Sequence, residues 1–156
     1  MSGVFISRVR SISDEFVASR GALAYVARNW QKLSVFNDTE LEVIGPHDIQ
    51  SAADNLEVTF IIRLFAAFEG MLKEHIGDHH RAITLPEDVR VVWLIDRVAT
   101  LQARHIDPIL RNRVHQVRGY RNALVHAAPT PATSLTFPEV RSCLNTYLDK
   151  LPEPLR

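Results

Sequence analysis

VTFIIRLFAAFEGMLKEHI, residues 58–76, decides the fold. Wound at about 100° per residue, Val58, Ile62, Phe65, Leu72 and Ile76 fall on one stripe, with Glu69 in its middle. Arg63 and Glu69 interrupt the most apolar run, residues 58–72, which is shorter than the roughly 20 apolar residues of a membrane span. The stretch therefore reads as the core half of a long helix over residues 48–76.

Four more helices follow from caps and breakers on either side. The first covers residues 13–33, with Asp14 and Glu15 in its first turn, where carboxylates suit the helix dipole. It follows an N-terminal extension, residues 1–12. Residues 34–47 hold Asn37-Asp38 and Gly45-Pro46 and form a connector with a short extended piece. Residues 77–83, with Asp78, His79 and His80, are a polar loop. Thr84-Leu85-Pro86-Glu87 is a capping box that opens a helix reaching residue 105. Asp107-Pro108 opens a fourth helix to residue 127, followed by a loop around Pro129 and Pro131. Thr136-Phe137-Pro138-Glu139 opens the last helix, to residue 151, and residues 152–156 are a loose tail. Strand signals are weak, and long helices with short loops predict antiparallel neighbours. The expected fold is all-α, a single-domain bundle of four to five helices.

The 156 residues and 46% hydrophobic content suit one globular domain with a real core. A lone cysteine, Cys143, has no partner for an internal disulfide. Residues 1–10 carry two arginines and no long apolar run, so no secretory leader is expected. The expected location is the cytoplasm, with no membrane partner. Zero net charge removes any global pull toward nucleic acid, but the charge is uneven. Arg97, Arg104, Arg111, Arg113, Arg118 and Arg121 lie with two histidines in a stretch holding a single acid, Asp107. Taken alone, these arginines read as a solvated helix face. Trp30 and Trp93 fall among apolar neighbours and read as core. Phosphate-binding loops, dinucleotide-binding glycine patterns and nucleophile elbows are not found.

On the fourth helix Leu110, Val114, Val117 and Leu124 line one stripe, and Arg121 falls inside it. A buried charge is normally paired, so either Arg121 meets Glu69 at the edge of the core or each snorkels to solvent. Arg111, His115, Arg118, Asn122 and His126 form a neighbouring basic stripe at spacings of four, three, four and four. Arg121 and His126 flank Asn122. By itself His126 reads as a helix-terminal histidine favoured by the dipole.

The stretch Tyr120-Arg121-Asn122-Ala123-Leu124-Val125-His126 resembles the signature of the HEPN superfamily: an arginine, a polar residue, then a histidine late in a helical bundle. Phe68-Glu69-Gly70-Met71-Leu72 is similar to the acidic position such proteins carry on an earlier helix. The resemblance spans residues 48–151. It implies a metal-independent endoribonuclease, a toxin or defence effector that works as a homodimer with two motifs facing one cleft. Arg121, Asn122 and His126 would then be catalytic, and Glu69 and Tyr120 supporting. Members paired with a nucleotidyltransferase antitoxin often carry a tyrosine two places after the histidine, where this chain has Ala128. A cognate antitoxin or defence partner is expected only in that general sense.

RNA carries its own nucleophile, the 2′-hydroxyl, so cleavage needs proton transfer and charge stabilisation rather than a metal or cofactor. Histidine as a residue type titrates near pH 6.5 and suits the first task. Arginine, always charged and forked, suits the second. On this expectation His126 is general acid or base and Arg121 the phosphate clamp, with Arg111, Arg113, His115 and Arg118 lining the RNA path. Two other classes remain open. One is a catalytically inactive adaptor that binds a protein. The other is a metal site at His75, His79 and His80, for which a solvated loop is the preferred reading because there is no matching ligand cluster.

Overall fold

The structure, a computed structural model, describes residues 3–33, 45–79, 85, 89–126 and 134–152. Within them lie five helices: α1 (Gly3–Leu33), α2 (Pro46–His79), α3 (Val91–Leu101), α4 (Pro108–His126) and α5 (Phe137–Leu148). No strand occurs among the described residues, so the all-α bundle holds. No helix there is long and apolar enough to cross a membrane. Outside the described residues lie most of the 34–47 connector, His80, Thr84, Pro86, Glu87, Ala128, the Pro129–Pro131 loop and the end of the tail.

α2 is the axis, because it packs against each of the other four helices. Phe60, Ile61, Leu64, Phe65, Phe68, Leu72 and Ile76 are buried on it. A helix apolar over most of its circumference must be surrounded. Rings join the layers: Phe16 on α1 lies 4.2 Å from Phe137 on α5, and Phe68 lies 5.6 Å from Tyr147. The Tyr147 hydroxyl donates to the Ile95 carbonyl at 2.7 Å, which ties α5 to α3. Burial, with Asp96 nearby, pushes the Tyr147 phenol well above its ordinary value.

Local chemistry sets most ends. Asp107 Oδ1 accepts from Leu110 N at 2.8 Å, with Pro108 at the first helical position, as expected. Thr136 and Glu139 form the expected cap of α5 through Thr136 N to Glu139 Oε2 at 2.8 Å. Glu57 on α2 adds a cap from a distance, accepting from Phe137 N at 2.6 Å.

Several boundaries differ from expectation. Residues 3–12 are not an extension but the first turns of α1, because Val9 and Ile12 continue the buried stripe of Phe16. α2 starts at Pro46, where Asp48 reaches back to Gly45 N at 2.7 Å. It also runs on through Gly77 and Asp78, which were expected in a loop. α3 is shorter than expected, from Val91 to Leu101, with Arg90 at its N-cap and a turn over residues 102–105. α5 ends at Leu148, and Leu151 folds back into the core through a turn. Trp93 is not core: it is 40% exposed on the outer face of α3.

Candidate functional site

α4 carries the site. Leu110, Val114, Val117 and Tyr120 are buried, which fixes the rotation of the helix and leaves its basic flank outward. Tyr120, rather than Arg121, completes the core stripe, and its hydroxyl lies 3.4 Å from Ser134 Oγ ahead of α5. Arg121 is half-buried at the stripe's border.

Two contacts hold Arg121. Its Nη1 donates to Asn122 Oδ1 at 3.1 Å, and its Cζ lies 6.0 Å from the centre of the Phe65 ring. The ring draws the cation weakly toward α2. Of the two readings left open for Glu69, the pairing with Arg121 does not form. Phe65 fills the place next to the guanidinium, and Glu69, one turn along, takes Lys73 Nζ at 2.9 Å on its own helix. Both Glu69 and Arg121 lie part-exposed at the edge of the core.

Asn122 and His126 are one turn apart on the same side of α4. His126 is exposed at the end of the helix. Arg121 and Asn122 are thus brought together, with His126 a turn beyond.

The lower half of the stripe is engaged differently. His115 Nε2 lies 2.9 Å from Asp96 Oδ1 on α3, and Arg111 Nε lies 3.9 Å from the same oxygen. The two therefore clasp α3 to α4. Asp96 was not anticipated, although an acid next to Arg97 was the available signal. Arg113 departs from the others, because it is about 160° around α4 from Arg111. It lines a groove between α4 and α5 with Leu110, Val117 and Cys143. Burial raises the Cys143 thiol above its ordinary value, against the opposing pull of Arg113.

Among the described residues the Nε atoms of Arg97, Arg111, Arg118 and Arg121 are sealed from solvent without hydrogen-bond partners, and that of Arg111 has only the ion pair to Asp96 at 3.9 Å. Unmatched buried donors are uncommon and call for an explanation. No group of three or more His, Cys, Asp or Glu side chains is placed to hold a metal ion among the described residues. The His79 side chain and all of His80 lie outside them, and His75 is buried. No protein-family model, curated protein or solved structure matches this chain.

Proposed function

We propose that the protein is a metal-independent endoribonuclease of HEPN type that acts in the cytoplasm as a toxin or defence effector. The observation that supports it is the held guanidinium of Arg121, fixed by Asn122 Oδ1 at 3.1 Å and backed by Phe65, with exposed His126 a turn away. A guanidinium restrained in this way is preorganised for phosphate, which is where electrostatic catalysis gains most.

In the proposed reaction the 2′-oxygen attacks the adjacent phosphorus and the bond to the 5′-oxygen breaks. His126 takes the hydroxyl proton or supplies one to the leaving oxygen. Arg121 neutralises charge on the phosphorane, and Asn122 orients Arg121. One histidine does not reach both sides of the phosphate easily, so two copies facing each other would each supply one. Val125, exposed beside His126, supplies apolar surface for that contact.

The ends of the products test the chemistry. In excess EDTA the native protein should leave 2′,3′-cyclic phosphate and 5′-hydroxyl ends on RNA. Ends bearing a 5′-phosphate would refute it.

A further inference from the structure

Trp93 is a large apolar side chain exposed at 40% in the first turn of a helix whose other face is core. Among the described residues no cation lies over its ring, unlike Phe60, which Arg63 covers at 4.8 Å. An uncovered indole on the surface forfeits apolar burial, and its surroundings decide what would cover it.

Those surroundings follow from register. The Asp96–His115 contact at 2.9 Å pins α3 beside α4, and the short turn between them makes the helices antiparallel. Trp93 lies three residues before Asp96, and Arg118 three residues after His115. At 1.5 Å per residue both stand about 4.5 Å from the pinned level, on the same side of it. Trp93 is therefore level with Arg118, one turn short of Asn122. Arg97 follows Trp93 by one turn on α3, and the Nε atoms of Arg97 and Arg118 lack partners. Among the described residues the acid on this face, Asp96, is already engaged by His115 and Arg111. The uncompensated charge of the described residues around the indole is positive.

We propose that the α3/α4 face binds single-stranded RNA, with Trp93 stacking on a base and Arg97 and Arg118 holding flanking phosphates. The choice of RNA rests on the endoribonuclease reading, and the platform leads along α4 to Asn122 and Arg121. An aromatic ring among cations is the recurring arrangement for single strands, since every base has a stacking face. Duplex RNA keeps its bases stacked internally and does not satisfy it. The path differs from the one expected from sequence: it gains Trp93 and Arg97, and Arg113 lies off it.

The test uses the full chain carrying His126→Ala, so that RNA stays intact, and a labelled oligouridine of about 12 nucleotides. With Trp30→Phe added, Trp93 is the remaining tryptophan, and its fluorescence should be quenched to saturation by the single strand but not by a duplex. Trp93→Ala should weaken binding by about 5- to 150-fold, and Trp93→Phe should restore most of it. Arg118→Ala should lower the slope of log affinity against log salt by about 0.7. Unchanged affinity in Trp93→Ala, or saturation without quenching, overturns the proposal and assigns the indole to a protein partner. Cleavage by the native protein with Trp93-independent binding overturns this platform alone. Trp93-dependent binding by a native protein that cleaves no RNA overturns the nuclease and leaves the platform standing.

Discussion

Arg121 donates from Nη1 to Oδ1 of Asn122, its neighbour in the chain, at 3.1 Å. Consecutive residues on a helix point about 100° apart, so this bond bends the longer side chain around the helix toward the basic flank. Asn122→Ala removes the acceptor. We expect kcat/KM for RNA cleavage to fall about 10- to 100-fold, the scale of one hydrogen bond to a charged group. The fall should lie mainly in kcat, with the melting temperature unchanged because Asn122 is part-exposed. An effect confined to KM would mean that Asn122 contacts RNA rather than positioning Arg121.

Asp96→Asn separates stability from affinity. It weakens the clasp to His115 and Arg111, a part-exposed set, so the cost should be only about 0.5–1 kcal/mol in urea titration. It also removes the negative charge from a basic face, so single-stranded RNA should bind several-fold more tightly at low salt. Weaker binding in Asp96→Asn would show that the clasp, rather than the free charge, organises the surface.

The first turns of α1 are part of the core. Ile12→Ala should cost about 2–4 kcal/mol, as buried Ile truncations do. Val17→Ala, at an exposed position of the same helix, should be within about 0.5 kcal/mol of native. Equal, small effects at both sites would return residues 3–12 to the status of an appendage.

Glu139 supplies a pH-dependent cap. Hydrogen bonds from the Thr136 backbone N–H and hydroxyl hold its carboxyl below the ordinary carboxylate value. A depressed folded-state value means stabilisation that is present above the unfolded value and lost as pH falls through the folded one. The gap in urea midpoint between native protein and Glu139→Ala should be open at neutral pH and close below about pH 4. A gap that stays constant into acid would show that the carboxylate's charge has no part in the cap.

Local signals were legible in the sequence, and facing surfaces were not. Asp107-Pro108 and Thr136-Glu139 cap their helices through neighbours within three residues, so spacing alone reveals them. Val9 and Ile12 went unread because Asp14 and Glu15 imitate a first turn. Trp93 sits in an unbroken apolar run, VVWLI, whose outward face is chosen by the neighbouring helices. Glu57 reaches Phe137 across 80 residues, a relation no local pattern contains. Asp96 lies one residue before the arginine-rich stretch begins at Arg97, so the stretch looked freer of acid than its folded surface is. In the candidate site the stripe of Arg111, His115, Arg118, Asn122 and His126 was legible from helical spacing. Its division into a clasped lower half and an Arg121–Asn122 upper half depended on α3.

The most direct test of the central claim is the initial rate of RNA cleavage in excess EDTA for native protein, His126→Ala and Arg121→Lys, with circular dichroism confirming the fold of each. The predicted result is cleavage by the native protein, a fall of at least about 100-fold in His126→Ala, and a clear loss in Arg121→Lys, which keeps the charge but not the fork. Native and His126→Ala proteins cleaving at equal rates, or neither cleaving any RNA in a broad panel, would contradict it and favour the inactive adaptor.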